Sequence, residues 1–424
     1  MENFQRQLWS AIDHFRGSME MTHLIELFTY VAFIAKEAPE SFQVIKNAGQ
    51  VKQMDALISA GKLLEGMHPH EVCEAPNQHK VDVRVINVAT QIIAEVTDFK
   101  LLAQQLRELT KEAGKMGADL ASNLNMERIF SALVGDCSGK TLYDGTCGLA
   151  RIASNLNAEK LYLEEKNYST WVTAYRLLTL EDKAFKLTLG DSLLNSAYGD
   201  DSKFDLAVME PPLALKIGAE ERRMLAEASF VVVSTGNIAS ANASDSLWIQ
   251  QALSKLNDTG KGYILLPQGL LFRGGYDAKV REYLLENELL EAVIGLPASI
   301  LDRTGIPPVL LVLNKNKATG SPVIFVDASD IGKPCRGGIE ISEAEAKLIA
   351  DLALGNLPED ARYKAVLIPE IRDQNNELSI SRYIIKSIEV ETLNVVEEFK
   401  KLSSYHDAFK QSQEKLRALL EKFQ

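Results

Sequence analysis

Between residues 141 and 314 the chain alternates short apolar runs with longer stretches of helical spacing, and no other feature limits its fold so strongly. The runs are TLYDG, KLYLEE, FKLTLGD, FDLAVME, KGYILLP, LLEAVIGLP and PPVLLVLNK; STWVTAYRLLTL and SDSLWIQQALSKL typify the segments between them. Strands separated by helices imply a mostly parallel, doubly wound sheet. The last two runs are joined by only ASILDRTGI, too short for a helical crossover, so that pair is expected to be antiparallel. SPVIFVDAS is expected to add one further edge strand.

The flanks read differently. Residues 1–115 carry helical periodicity in NFQRQLWSAIDHF (Leu8, Ile12 and Phe15 on one face), THLIELFTYVAFIAK, KQMDALISAGKLLEGM and RVINVATQIIAEVTDFKLLAQQLREL, with few strand signals. Beyond residue 386, Val395, Phe399, Leu402, His406, Phe409, Gln413, Leu416, Leu420 and Phe423 alternate in steps of four and three, a heptad seam with two polar positions. A helix over 387–424 would be about 57 Å long. It folds back on its own domain or pairs with a partner helix, and the spacing suits both. A chain of 424 residues exceeds what one core usually serves. Three regions are therefore expected: a helical domain over 1–115, an α/β domain over 116–386, and a C-terminal helix over 387–424.

A formal net charge of −12 argues against a simple basic nucleic-acid coat protein, but leaves room for a local basic channel or for DNA binding carried by a partner. No apolar run is long enough to span a bilayer, so no membrane partner is expected. Four scattered cysteines (Cys73, Cys137, Cys147 and Cys335) fit reduced thiols in a cytoplasm. GDCSGKT at 135–141 fails as a phosphate loop, because it has one residue too few and precedes its strand. Neither G-x-G-x-x-G, G-x-S-x-G nor H-E-x-x-H occurs. His68, His70, Cys73 and His79 share a polar loop whose spacing matches no strong metal pattern, so no metal is expected.

Open parallel sheets bind ligands at the carboxyl ends of their strands. There the first run ends in DGTCGLARIA, whose Gly145, Thr146 and Gly148 allow backbone to approach a ligand and whose Asp144 suits an amine or a cation. The second run ends in Glu164 and Glu165, where an acid commonly accepts from ribose hydroxyls, and Glu165 is the candidate for that role. The third ends in Asp191 and Ser192, with Asp191 placed to accept from an adenine amino group. Each acid alone reads equally as a helix cap. Together they imply a ligand with an amine, a ribose and an adenine but no phosphates, namely S-adenosylmethionine. The fourth run ends in Glu210-Pro211-Pro212-Leu213, where the prolines must stop the strand.

These residues resemble the amino-group DNA methyltransferases, whose fourth strand ends in Asn/Asp-Pro-Pro-aromatic. The resemblance narrows to the modification (methylation) subunit of type I restriction-modification systems, and it covers nearly the whole chain. It rests on LWSAIDHFRGSM, on QGLLFRGGYDAKVREYLLENELLEAVIGLPASILDRTGIPPVLLVLNKNK and on SISRYI at 379–384. It implies a Rossmann-like, S-adenosylmethionine-dependent methyltransferase fold, a seven-stranded sheet with an antiparallel last strand, between a helical domain and a long C-terminal helix. It also implies transfer of a methyl group to N6 of an adenine flipped out of DNA. The partners implied are DNA, a DNA-specificity subunit gripped by the C-terminal helix, and a restriction subunit. The Asn side chain and first proline carbonyl of the motif accept the two amino protons, roles that would fall to Glu210 and Pro211, with Pro212 and Leu213 completing the loop.

This sequence departs from the family pattern in four places. Glu210 replaces Asn or Asp, and Leu213 replaces the aromatic that stacks on the base. In DGTCGLAR, Ala150 and Arg151 replace the later glycines of Asp-Pro-x-Cys-Gly-Ser/Thr-Gly-Gly, and KMGADLASNLNMERIF lacks the expected Phe-Tyr-Thr-Pro. Two readings follow: an active adenine-N6 methyltransferase subunit, or a catalytically degenerate relative kept for DNA binding or assembly of a defence complex. Arg273 in FRGG, Arg303-Thr304 and Arg222-Arg223 read either as backbone contacts to DNA or as turn and surface residues.

Overall fold

The computed structural model describes residues 2–15, 19–77, 81–110, 122–213, 215–233, 238, 244–302, 304–385 and 395–421. Arg303, His79 and Phe423 lie outside these residues, as do the expected domain boundaries at 115/116 and 386/387. The chain forms two compact units, residues 1–384 and 385–424.

The first unit is organised by a sheet whose strands are β1 (Thr141–Asp144), β2 (Lys160–Glu165), β3 (Phe185–Leu189), β4 (Phe204–Met209), β5 (Leu256–Pro267), β6 (Leu290–Gly295), β7 (Pro308–Asn314), β8 (Val323–Asp327) and β11 (Tyr363–Val366). Their order is β11-β8-β6-β7-β5-β4-β1-β2-β3. β3, β2, β1, β4 and β5 run parallel, and β7 inserts antiparallel between β5 and β6. This is the seven-stranded core the resemblance implies, with the short β6–β7 connection enforcing the reversal. β8 pairs parallel with β6, and β11 covers it antiparallel, so SPVIFVDAS supplies an inner strand and β11 forms the edge. The remaining hairpin, β9 (Lys333–Cys335) with β10 (Gly338–Glu340), stands apart from the sheet. Chain order reverses beside β1, whose neighbours are β2 and β4, and that reversal opens a crevice above the strand ends.

The N-terminal helices pack onto this sheet through helix Tyr168–Leu180, which meets Met21–Glu37 and Phe99–Glu108. Two buried arginines fasten the contact. Arg176 donates to the carbonyls of Val72 (3.0 and 2.9 Å) and Glu74 (2.7 Å) and lies over the Tyr30 ring. Arg107 makes a two-pronged bond to Glu181 at 2.6 and 2.9 Å, both side chains being only 2% exposed. Its Nε also donates to the Leu149 carbonyl at 2.8 Å, inside the loop that follows β1. His68 sits between Glu37 and Tyr175 in the same contact, and among the described residues no group of three or more metal-ligating side chains occurs.

The second unit contains helix Val395–Leu420, about 39 Å long. Its seam residues Phe399, Leu402, Phe409, Leu416 and Leu420 are exposed. Among the described residues no helix is long and apolar enough to cross a membrane, and all four cysteines are free thiols.

Candidate active site

A cavity of about 790 Å³ opens at the carboxyl ends of β1 to β5. It gathers Gly145, Thr146 and Gly148 after β1, Glu165 at the end of β2, Asp191 and Ser192 after β3, and Glu210, Pro211, Pro212 and Leu213 after β4. Residues separated by more than sixty positions in the sequence thus share one wall.

The loop after β1 is shaped by close contacts. A Cβ on Gly145 would lie 2.5 Å from the Tyr143 hydroxyl and 3.2 Å from the Ser192 Cβ, so only glycine fits. Ser192 Oγ donates to the Gly145 carbonyl at 2.6 Å and ties this loop to β3. Asp144 stands behind the cavity wall, its Oδ1 accepting from the Thr146 N–H at 2.9 Å. Burial outweighs these bonds and pushes its pKa up to about 7. Gly148 takes a left-handed turn (φ 53°), and so does Ala150 (φ 56°), a conformation that costs a non-glycine residue about 1–2 kcal/mol. Arg151, the other residue in place of a family glycine, is buried and bonds Glu108 and Glu127. It clamps helices Phe99–Glu108 and Leu124–Val134 to the start of helix Arg151–Asn155.

The two acids closing β2 face opposite ways, as the alternation of a strand requires. Glu164 is fully buried and accepts from the Tyr143 hydroxyl (2.7 Å), Ser196 Oγ (2.9 Å) and the Ala197 N–H (2.6 Å). Glu165 lines the cavity and accepts from the N–H groups of Gly148 (3.0 Å) and Asn167 (2.6 Å); burial still raises its pKa. Asp191 is more committed than its sequence position suggests. Oδ1 accepts from the N–H groups of Leu193 and Leu194, and Oδ2 takes the Lys166 ammonium at 2.7 Å. Burial works against the charge, but these donors hold its pKa below the ordinary value.

Glu210 follows the last paired residue of β4. Its carboxyl accepts from Ser122, yet Oε2 meets neither solvent nor any hydrogen-bond partner. Burial is the main cause that lifts its pKa to about 7; Asp302 adds to the rise, and Ser122 and Arg151 oppose it. Pro211 is buried, Pro212 exposed, and Leu213 half-buried against the core.

Other lining residues escaped the sequence reading: Ser122, Asn123, Lys166, Trp248, Asp302 and Ile306. Only Asn123 carried a local signal, as the cap of helix Leu124–Val134. Thr304 lines the cavity, whereas Arg273 is spent internally, donating to Asp277 at 2.6 Å and also to Asp245. Arg222 donates to the Ile217 carbonyl at 2.6 Å, and Arg223 is exposed. Among the described residues the lining acids Glu165, Asp191, Glu210, Glu221 and Asp302 outnumber Lys166 and Lys216, a balance that favours a cation.

Known proteins are similar to this chain in sequence and in fold. Over 308 residues the chain is 24% identical to the MpnII methylase subunit, a type I restriction enzyme subunit of Mycoplasma pneumoniae; the match covers 67% of this chain and 56% of that protein. It is 26% identical over 418 residues to the type I MjaVIII methylase subunit of Methanocaldococcus jannaschii, covering 92% and 72%. The chain therefore spans little more than half the length of the Mycoplasma relative. In fold it resembles the type I restriction-modification methyltransferase subunit from Streptococcus thermophilus, with TM-score 0.73, 19% identity, and coverage of 91% of this chain and 100% of that one. A second solved structure, from work on complex assembly and conformational transition of the type I R-M system, aligns with TM-score 0.69 at 17% identity, over 100% and 99% of the two chains. Residues 106–392, well over half the sequence, match the model of one family, and the chain belongs to it: the N-6 DNA methylases.

Proposed function

We propose that this protein is the methylation subunit of a type I restriction-modification enzyme, transferring a methyl group from S-adenosylmethionine to N6 of adenine in DNA. The observation that carries the reading is Glu210, a carboxyl at the end of β4 with one oxygen buried beside the cavity and unpartnered. A buried acceptor left unpaired costs about 1–3 kcal/mol, a cost a ligand donor would remove.

The residues present fit the cofactor. Tyr143 and Ser192 leave no room for a side chain on Gly145, the acid excess among the described lining residues suits a sulfonium cation, and Glu165 lines the cavity at a strand end where an acid commonly accepts from a ribose hydroxyl. Gly145, Thr146 and Gly148 would hold its amino-acid end, with Asp144 shaping their loop from behind, and Asp191 with Ser192 would border its adenine. Bound there, S-adenosylmethionine supplies an electrophilic methyl group.

Glu210 and the Pro211 carbonyl accept the two protons of the adenine amino group. This turns the nitrogen lone pair toward the methyl, a positioning effect in which small displacements cost about 10²-fold. With the cofactor bound, the Glu210 carboxylate would be placed to take the proton that the amino group loses on methylation. Glutamate reaches further than the family's asparagine, and Leu213 offers an apolar contact in place of a ring.

The degenerate reading is weaker than it looks from sequence. Arg151, which breaks the glycine pattern, is a buried clamp, and the cavity survives the substitution. The segment expected to hold Phe-Tyr-Thr-Pro lies partly in 111–121, outside the described residues, while Ser122 and Asn123 beyond it line the cavity.

In this reading residues 1–115 form the helical domain, 116–386 the methyltransferase domain, and 387–424 the helix that grips the DNA-specificity subunit; DNA and a restriction subunit complete the assembly. Four free thiols support a cytoplasmic setting. Calorimetry should detect S-adenosylmethionine binding to the wild-type chain, and no binding at millimolar cofactor refutes the reading. In the complex with its specificity subunit, Glu210→Ala should lower methyl transfer by about 10²-fold or more while cofactor binding persists. Deleting residues 387–424 should abolish capture of the specificity subunit and leave the first unit folded; retained capture overturns that role for the helix.

A further inference from the structure

The hairpin of β9 and β10 stands outside the sheet and takes no part in the cavity lining. Its turn is Arg336-Gly337, where Gly337 adopts a φ of 105°, and Cys335 faces Gly338 across it. Two strands of this length hold poorly by themselves. This pair is fastened from outside. The Ile339 N–H donates to the Ser299 carbonyl at 3.1 Å, and a Cβ on Gly338 would collide with the same oxygen. Asn125 joins both partners: its Nδ2 donates to the carbonyls of Ile300 (3.1 Å) and Ile339 (2.8 Å), and its Oδ1 accepts from the Ile341 N–H (2.9 Å). Arg128, on the same helix Leu124–Val134, donates to the Ile341 carbonyl at 2.6 Å.

The place of these anchors gives them meaning. Ser299 and Ile300 lead directly into Leu301, Asp302, Thr304 and Ile306, which line the cavity. The hairpin is therefore clamped to the loop that borders the site. Its outer part is cationic. Lys333, Cys335 and Arg336 are exposed, and among the described residues neither cation has a hydrogen-bond or ion-pair partner. The acids close by are engaged elsewhere. Glu340, opposite Lys333 in the ladder, lies 3.7 Å from Arg128. Glu345 feels the Lys333 charge but accepts from the Ser342 N–H and hydroxyl. With a formal net charge of −12 the chain as a whole repels a polyanion, so contact with one needs local cations held in place.

We propose that this hairpin is a phosphate-binding arm of the DNA interface, with Lys333 and Arg336 meeting the backbone of the duplex beside the cavity. The assignment rests on the DNA reading above and adds the element that fixes the duplex against the site. Phosphate contacts set register and orientation without reading sequence. The bonds through Ser299 and Asn125 carry that orientation to the loop bordering the cavity.

Cys335 is a native reporter for the test, an exposed thiol next to Arg336, while Cys73, Cys137 and Cys147 are buried. In the proposed complex with the specificity subunit, duplex DNA of arbitrary sequence should slow alkylation of Cys335 by iodoacetamide, read by peptide mass spectrometry. Added salt should relieve the protection. Replacing both cations (Lys333→Ala with Arg336→Ala) should reduce the slope of log affinity against log salt by about 1–2, with equal losses on all sequences. An unchanged alkylation rate in a complex that binds the duplex overturns the proposal, and so does an unaltered salt slope in the double variant. Protection by the specificity subunit before DNA is added assigns the arm to a protein interface and overturns it equally. A complex that binds no duplex refutes the DNA reading itself, and this assignment with it.

Discussion

Glu210 allows a quantitative test that needs neither cofactor nor DNA. Its pKa is raised from 4.5 to about 7, chiefly because Oε2 is cut off from water. Below the unfolded value both states carry the neutral acid, and burial of the group costs little. Between 4.5 and about 7 the unfolded chain releases its proton while the folded one keeps it, so stability falls as pH rises. Above about 7 both states are ionised and the penalty is complete. At about 1.4 kcal/mol per pKa unit, the stability lost between pH 5 and pH 8 through this one group is roughly 2.5 kcal/mol. Glu210→Gln keeps the shape and removes the charge, so the variant should gain that amount over wild type at pH 8 relative to pH 5. With an unfolding entropy of about 2.1 cal/mol/K per residue, the gain in a unit of this size is about 3 °C in Tm. Differential scanning calorimetry of the ligand-free protein at the two pH values measures it. Any fixed difference between amide and acid cancels in the comparison. Asp144, also lifted to about 7 and sensitive to the Glu210 charge, should add a small gain of the same sign. Equal displacement of the variant at both pH values would mean that Glu210 is solvated, and the argument from a buried, unpaired oxygen would fail.

Three further outcomes are expected. Arg107→Ala should destabilise the first unit by about 3–5 kcal/mol in urea unfolding, because it leaves Glu181 buried without its partner. Gly145→Ala forces a methyl group against the Tyr143 hydroxyl, which Glu164 holds in place; a loss of about 1–3 kcal/mol is expected, together with weaker S-adenosylhomocysteine binding by calorimetry. Under the proposed function, Leu213→Phe would offer an extruded base a stacking surface worth up to about 1–3 kcal/mol, and should brighten an extruded 2-aminopurine less while tightening DNA binding in the proposed complex.

The sheet was legible because its information is local. Each strand is a short apolar run, and the nine residues of ASILDRTGI leave no room for a crossover, which determines the direction of β7. The acids at the strand ends were legible for the same reason. Glu165, the acid expected to meet the ligand, does line the cavity, whereas the donors that bury Glu164 come from Tyr143, Ser196 and Ala197 and could not be read from the strand alone. Arg151 misled in the opposite direction. It reads as a lost glycine until Glu108 and Glu127, distant in the chain, are seen beside it. Arg273 likewise reads as a free cation after a turn, and its partner Asp245 lies on another helix. Trp248 was invisible because a tryptophan within an apolar helix looks like core, and only the fold brings it to the cavity lining.

The bond from Arg107 to the Leu149 carbonyl gives the N-terminal helices a mechanical role. Leu149 lies between the two left-handed residues of the β1 loop, Gly148 and Ala150, where the chain has least freedom to absorb a displacement. Helix Phe99–Glu108 holds that point from one side through Arg107, and Arg151 returns the grip through Glu108. The loop is thus suspended between the helices and the sheet like a string between two pegs. A force that tilts the helices will reach the floor of the cavity as tension along a few rigid bonds, without passing through the strands.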